Sequence, residues 1–413
     1  MKTLEELGLI EAVRDRFAHV ETCPLSGPRI FFENAGGALT LKSVVETSAF
    51  YAAIPDNQGR DNPASAELQR VIDAAKADVA RWFGATGGAV FVGESGTELL
   101  FRVIRDACLG AAPAGTVLGS TVEHPASRSA ATRWAEQTGR AYISVAHDDA
   151  KGRVSAEAYA EAVTPETRVA TILHTSPVTG IGNDLAAITE AIRATAPEAF
   201  IIVDGIQHAS HGAIGLGAAD VDAYVISPYK VFSRHGYGVA WASDRLTALA
   251  HDALIGGPEG RWELGTRDTG AYATISEVVR YLEWLGHAAG GAEPLETAGA
   301  VIHAQEAALC DAMLHGIDNL AGLAELPGVQ ILGGVQNPHR EGLVSFAVEG
   351  RDPGGIVSAL REAGVRVHLR KPDHYSGNIL TPLGLPGCVR VSMCHYNTLA
   401  EVRSFLAAMA QIL

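Results

Sequence analysis

This sequence of 413 residues has few cysteines, no long hydrophobic run and a deficit of positive charge. Its five cysteines lack close Cys-x-x-Cys spacing, which argues against a disulfide framework and against a cysteine-ligated zinc site. Lysine and arginine total 32 against 47 aspartates and glutamates, and the resulting net charge of −15 disfavours a nucleic-acid-binding surface. We therefore expect a small molecule or another protein chain as the partner.

Membrane-spanning and secretory signals are also lacking. The longest apolar runs fall well short of the 18 or so residues that a membrane helix needs, so no membrane association is expected. Residues 1–6 are polar and acidic, without the apolar core of a signal peptide, and this favours a cytoplasmic location. At this length we expect one large and one smaller domain, because a single hydrophobic core rarely serves more than about 250–300 residues.

Three short apolar runs, at 201–203, 224–226 and 238–241, end in turn-forming residues. Runs of this kind are typical of parallel strands that are covered on both faces. Asp204 follows the first run and Lys230 follows the second. Because the carboxyl ends of parallel strands open on one crevice, where open α/β sheets bind ligands, we expect both side chains to lie in it.

The residues around this pair resemble a known family. Asp-Gly-Ile-Gln at 204–207 and Ser-Pro-Tyr-Lys at 227–230 are similar to paired motifs of class V aminotransferases, especially the cysteine desulfurase and selenocysteine lyase branch. The resemblance implies an α/β fold, the pyridoxal-phosphate-dependent transferase fold type I, with a large mostly parallel domain and a smaller α+β carboxyl-terminal domain. It also implies pyridoxal 5'-phosphate as cofactor, joined to Lys230 as a Schiff base, with Asp204 holding the pyridine nitrogen protonated.

Further cofactor contacts follow from the same resemblance. Small residues at 95–97 lie between a predicted strand and a helix expected from Glu98, where free backbone N–H groups suit a phosphate. His124 resembles the histidine that stacks on the pyridine ring and moves protons. The catalytic residues implied are Lys230, His124 and Asp204. The cofactor-binding residues implied are Ser95, Gly96, Thr97, His124, Asp204, Gln207, Ser227, Tyr229, Lys230 and Thr266.

Substrate binding and assembly are implied in the same way. Arg390 matches the family arginine that pairs with the substrate carboxylate, for which a planar guanidinium is well suited. Arg370 matches a second arginine, and Asn62, in a turn-rich segment, is a further candidate. Thr266 resembles a threonine that the family contributes to the partner's phosphate site. The resemblance thus implies a small amino acid as substrate and a homodimer with shared active sites.

One segment departs from the desulfurase pattern. Desulfurases of this branch carry a nucleophilic cysteine a few residues after the position of Arg370, whereas 371–378 read Lys-Pro-Asp-His-Tyr-Ser-Gly-Asn. Cys388 and Cys394 fall in or after the next predicted strand, so persulfide chemistry is not expected at that position. We rank cysteine desulfurase-like or carbon–sulfur lyase activity first, and aminotransferase or amino-acid epimerase activity second.

Two unrelated functions and a metal site are alternatives to this interpretation. A nucleotide-binding dehydrogenase would suit parallel strands, but the sequence lacks an early Gly-x-Gly-x-x-Gly turn. A catalytically silent paralogue is disfavoured by the presence of Lys230 and Asp204. His208 and His211 form a bare pair without a carboxylate or third ligand at suitable spacing, and we therefore predict no metal.

The domain organisation follows from the order of the elements. We predict an N-terminal segment at 1–30 that packs with the small domain, a cofactor-binding domain at 31–290 and a small domain at 291–413. Helical spacing predicts a leading helix at 5–20 and an amphipathic helix at 64–83.

Overall fold

The computed structural model describes residues 1–258 and 260–413. The strands are β1 (Thr22–Cys23), β2 (Gly27–Pro28), β3 (Ile30–Phe31), β4 (Ala89–Gly93), β5 (Thr116–Ser120), β6 (Ala141–Val145), β7 (Thr167–Leu173), β8 (Phe200–Asp204), β9 (Ala223–Ile226), β10 (Gly238–Ala242), β11 (Val329–Ile331), β12 (Leu343–Val348), β13 (Val365–Arg366), β14 (His368–Arg370) and β15 (Cys388–Ser392). The α-helices are α1 (Ile10–Arg14), α2 (Lys42–Ala52), α3 (Pro63–Phe83), α4 (Gly96–Gly110), α5 (Pro125–Gln137), α6 (Ala156–Ala162), α7 (Leu185–Thr195), α8 (Asp244–Thr247), α9 (Thr269–Ala288), α10 (Pro294–His315), α11 (Pro353–Glu362), α12 (Gly377–Leu380) and α13 (Leu399–Ile412).

A seven-stranded sheet in the order β4-β10-β9-β8-β7-β5-β6 forms the centre of the larger domain. Neighbouring strands from β9 to β6 pair in parallel, as their apolar sequences predict. The five residues of β8 and the four of β9 are all buried, because helices cover both faces of the sheet. The parallel pairing of β8 with β9 sends their carboxyl ends, and thus Asp204 and Lys230, to the same edge.

The third apolar run, β10, runs against this direction, and the expectation that it is a parallel strand is wrong. It pairs antiparallel with both β9 and β4. The physical reason is the short connection at 227–237, since a parallel return needs a crossover of about a dozen or more residues, usually a helix. That short connection carries Lys230.

A second sheet, in the order β11-β12-β15-β14, lies in the carboxyl-terminal part of the chain, and α10, α11 and α13 contact it or one another. The N-terminal segment packs against this part, since Arg14 donates to the Tyr396 carbonyl oxygen at 2.8 Å and pairs with Glu401. The two sheets lie within the two predicted domains, whereas the exact domain boundaries stay a prediction.

Helix predictions were accurate where the apolar spacing was regular. The amphipathic helix appears as α3, with Leu68, Ile72 and Val79 buried. The leading helix is much shorter than predicted, because Gly8 adopts a positive φ of 67° and breaks it before α1 begins. Of the helices in the described ranges, none has the length and apolar character needed to cross a membrane.

Candidate active site

Asp204 and Lys230 both lie buried at the carboxyl edge of the large sheet, with exposed fractions of 2% and 7%. The Asp204 Oδ1 atom accepts a hydrogen bond from the Ile206 N–H at 3.1 Å, and its Oδ2 atom lies 3.4 Å from Ser127 Oγ. Burial raises the pKa of Asp204 to about 6, although the backbone N–H and the Lys230 charge oppose the shift. A cationic donor placed beside Asp204 would restore its charge.

The amine of Lys230 is prepared for proton transfer and nucleophilic attack. Lys230 follows β9 in a short turn at 228–230 and is buried. Burial, together with the positive charge of Arg390, lowers the pKa of Lys230 to about 8. A substantial fraction of the amine is therefore neutral near physiological pH, which a general base or nucleophile requires.

His124 stands at the start of α5 with its ring fixed by two hydrogen bonds. Its Nδ1 atom accepts from the Ala126 N–H at 3.1 Å, and its Nε2 atom lies 2.5 Å from the Tyr375 hydroxyl oxygen. Burial and the nearby charge of Lys230 lower the pKa of His124 to about 3, so the imidazole is neutral. Since Nδ1 is an acceptor, the proton of the neutral ring resides on Nε2.

The predicted phosphate site is the N-terminus of α4. Ser95 caps this helix, with its Oγ accepting from the Glu98 N–H at 3.1 Å, so the helix begins at Gly96 and not at Glu98 as predicted. A Cβ atom at Gly96 would collide with Ser227 Oγ, which shows how closely the two segments meet. The free N–H groups of the first turn, Thr97 included, and the helix dipole there suit an anion.

Arg390, on β15, is fully buried beside this crevice. Its NH1 group donates to the Pro177 carbonyl oxygen at 3.0 Å, while Nε has no acceptor among residues 1–258 and 260–413. Gly36 leaves space beside NH2, because a Cβ atom built there would lie 3.7 Å from it. Burial and the charge of Arg370 lower the pKa of Arg390 to about 9, which leaves it charged at neutral pH.

Gln207 belongs to a buried hydrogen-bonded row. Its amide nitrogen atom lies 3.0 Å from His211 Nε2, and His211 Nδ1 lies 2.8 Å from Glu306 Oε2. Burial disfavours the imidazolium, yet the Glu306 carboxylate outweighs it and raises the pKa of His211 to about 8. The other amide atom of Gln207, Oε1, is buried and meets no hydrogen-bond partner within the described residues, so it is open to a ligand.

The surroundings of His211 correct the statement that no carboxylate or third ligand accompanies this histidine. His211, Glu306 and Cys394 lie close enough for one ligand atom from each to fall within 4.8 Å of the others. The carboxylate and the third group come from distant parts of the chain, which local spacing could not reveal. Both ring nitrogens of His211 are already hydrogen-bonded, and the metal-free assignment stays a prediction.

Three predicted site residues make contacts within this chain that differ from their predicted roles. Asn62 is exposed and caps α3, its Oδ1 accepting from the Ser65 N–H at 2.8 Å. Thr266 is exposed and lines a surface cleft with Tyr51 and Asp268. Tyr229 stacks on His235 with ring centroids 4.3 Å apart. The roles of Asn62, Thr266 and Tyr229 therefore stay predictions.

Tyr375 is a site residue that the sequence reasoning missed. Besides its contact with His124, its ring lies under the Arg370 guanidinium, with 4.3 Å between the guanidinium carbon and the ring centroid. Its position in the sequence could have indicated it. Tyr375 lies five residues after Arg370, in the segment where desulfurases carry their cysteine. Ser127, which meets Asp204, was also missed.

The comparisons with known proteins agree with this arrangement. The sequence model of the class-V aminotransferase family matches residues 30–405. This chain belongs to the class-V aminotransferase family. Its members are pyridoxal-phosphate-dependent enzymes, so the predicted family and enzyme class are confirmed.

The similar proteins include desulfurases and one nonribosomal peptide synthetase-like enzyme. The cysteine desulfurase-like protein ustD of Aspergillus flavus is 27% identical over 99% of this chain and 92% of its own length. A probable cysteine desulfurase of Vibrio cholerae is 24% identical over 97% of both chains. The chain spans only 25% of the nonribosomal peptide synthetase-like enzyme fsqF of Aspergillus fumigatus, to which it is 28% identical.

Solved structures confirm the fold. The apo cysteine desulfurase of Thermococcus onnurineus superposes with a TM-score of 0.83 at 22% identity, covering 97% of both chains. The Escherichia coli cysteine desulfurase CsdA gives a TM-score of 0.78, also at 22% identity, over 97% of this chain and 98% of that one. The predicted fold type I is therefore confirmed.

Proposed function

We propose that this protein binds pyridoxal 5'-phosphate and cleaves the carbon–sulfur bond of a small sulfur-containing α-amino acid, with release of free sulfide. The observation that carries the proposal is the buried guanidinium of Arg390, whose Nε meets no acceptor within the described residues, in the crevice that holds Lys230 and Asp204. A buried cation with an open edge suits a carboxylate ligand.

The residues present fit the cofactor. Asp204 has one carboxylate oxygen satisfied by a backbone N–H and the other only loosely approached by Ser127, which leaves a place for the protonated pyridine nitrogen. The start of α4, against Ser227, fits the phosphate, and the Lys230 amine is available for attachment to the aldehyde. When bound, the cofactor supplies an electron sink that stabilises negative charge on the substrate's α-carbon.

Arg390 fixes the orientation of the substrate. The NH1 bond to the Pro177 carbonyl oxygen holds the guanidinium plane, so that Nε and NH2 present a two-donor edge to the α-carboxylate. A carboxylate that is bound by two parallel hydrogen bonds cannot rotate freely, which places the bond to be broken in a defined direction.

Lys230 moves the α-proton. When its amine is free, the Lys230 Nζ would act as the base, since its pKa of about 8 in this buried site suits a base that works near neutral pH. His124, held neutral, donates from Nε2 to the Tyr375 hydroxyl oxygen in the segment at 371–378.

Release of sulfide, and not formation of an enzyme persulfide, follows from the thiols at hand. The segment at 371–378 has no cysteine. Burial raises the pKa of Cys388 to about 11 and that of Cys394 well above its usual range. A thiol that stays protonated and enclosed is a poor sulfur acceptor.

Product analysis with L-cysteine tests the proposal. A carbon–sulfur lyase produces pyruvate, ammonia and sulfide in equal amounts without added thiol, and Lys230→Ala should abolish all three. Alanine in place of pyruvate, with sulfide appearing only after a reductant is added, would indicate a desulfurase. Racemised cysteine or a keto acid that retains sulfur would move the assignment to an epimerase or an aminotransferase.

A further inference from the structure

Tyr375 stands in the segment where the sulfur-accepting cysteine of desulfurases is missing. The segment is tied to the connection that carries His124 and to helix α5, which follows that connection. Arg128 donates to the His374 carbonyl oxygen at 2.8 Å, and Asn378 donates to the Thr121 carbonyl oxygen. Two attachments on either side of Tyr375 therefore hold its side chain against the crevice.

The phenol and the imidazole meet in a defined geometry. Tyr375 Oη lies 2.5 Å from His124 Nε2, and the two rings are edge-on, with centroids 4.7 Å apart and planes at 89°. Because His124 Nδ1 accepts from a backbone N–H, Nε2 carries the proton and donates to the phenol oxygen. The hydroxyl proton of Tyr375 therefore points away from His124, and the described part of the chain offers it no acceptor.

Two positively charged groups lie close to the Tyr375 phenol. The Arg370 guanidinium lies over the ring at 4.3 Å, and Arg390 adds a second positive charge nearby. Burial raises the pKa of Tyr375 while Arg370 opposes the shift, so the phenol keeps its proton at neutral pH. A phenol of this kind can give up a proton when a partner becomes basic, and the cations and the His124 N–H stabilise the phenolate.

We propose that Tyr375 is the general acid that protonates the group leaving the substrate's β-carbon. The role rests on the proposed carbon–sulfur lyase activity and specifies how the sulfur leaves. The electron pair left on the α-carbon after Lys230 removes its proton forms the Cα–Cβ double bond, and the electrons of the Cβ–S bond depart with sulfur. The O–H bond of Tyr375 breaks, and its proton goes to that sulfur. The phenolate then regains a proton from solvent. An oxygen at this position cannot store sulfur as a cysteine thiolate does, so sulfide leaves directly.

Leaving-group dependence tests this role in the cofactor-loaded enzyme. Tyr375→Phe removes the hydroxyl and keeps the ring, and pyruvate is measured with L-cysteine and with β-chloro-L-alanine, whose chloride leaves without a proton. We expect kcat with L-cysteine to fall roughly 100-fold or more, while the rate with β-chloro-L-alanine and the visible absorption of the bound cofactor stay at the wild-type values. Tyr142→Phe, which removes a buried hydroxyl on the edge strand β6, is the matched control.

Each other outcome overturns the role. An equal loss with both substrates would make Tyr375 a structural support of the crevice, and no loss with either would leave it without a catalytic part. A wild-type enzyme that forms no pyruvate from L-cysteine would contradict the proposed function itself, and with it this role. If the wild-type enzyme forms pyruvate from both substrates, the lyase activity is established, and the Tyr375→Phe result then tests the role of Tyr375 alone.

Discussion

Replacement of Arg390 by lysine tests how the substrate carboxylate is bound. Lysine keeps the positive charge but offers one point-like donor group in place of the planar Nε and NH2 edge. The NH1 bond to the Pro177 carbonyl oxygen, at 3.0 Å, which fixes the guanidinium, is also lost. Loss of one charge-assisted hydrogen bond costs about 1.5–3 kcal/mol, or roughly 10- to 150-fold in affinity.

The assay compares two ligands that differ only in the carboxylate. L-Alanine and ethylamine are titrated into the cofactor-loaded protein at pH 7, below the pKa of about 9 of Arg390, so that the wild-type guanidinium is charged. Arg390→Lys should weaken the binding of L-alanine by roughly 10- to 150-fold. The affinity for ethylamine should change by about twofold or less, because ethylamine lacks the carboxylate. Arg361→Lys, an exposed substitution that leaves the crevice intact, is the control.

The comparison of both ligands distinguishes a carboxylate contact from a packing effect. Equal weakening of L-alanine and ethylamine would show that Arg390 supports the crevice only through its bulk. Unchanged binding of both ligands would place the carboxylate site elsewhere and refute the orientation argued from the free guanidinium edge.

Three further predictions follow from the surrounding groups. Capture of pyridoxal 5'-phosphate by the cofactor-free protein should accelerate as pH rises through about 8, where Lys230 loses its proton, and a pH-independent rate would contradict this. Glu306→Gln should lower the thermal unfolding midpoint at pH 7, because the buried His211 loses the carboxylate that stabilises its charge; an unchanged midpoint would refute the ion pair. Cys388→Ser and Cys394→Ser should each release sulfide at the wild-type rate, and loss of release in a folded variant would restore a thiolate mechanism.

The sequence predicted the parts of the site that short motifs carry. Asp204 and Lys230 each follow a buried parallel strand, and the crevice at the strand ends is a direct consequence of that pairing. Arg390 was recognisable for the same reason, since its neighbours within one strand resemble a family motif. Local patterns therefore sufficed wherever one segment alone determines the position of a side chain.

The sequence could not reveal contacts between distant segments. Tyr375 meets His124 across 251 residues, and Glu306 meets His211 across 95, so neither pair has a local signature. The direction of β10 was misjudged for another reason, since an apolar run of this length looks the same in parallel and antiparallel strands. The signal in the sequence was the short connection at 227–237.

The most direct test of the account asks which residue holds the cofactor. The protein is loaded with pyridoxal 5'-phosphate, reduced with borohydride, digested and examined by mass spectrometry, alongside Lys230→Ala. The account predicts a visible absorption band before reduction and a phosphopyridoxyl group on the Nζ of Lys230, with neither in the variant. A label on another lysine, or no absorption band after the cofactor is added, would contradict the assignment of Lys230 and the active site built around it.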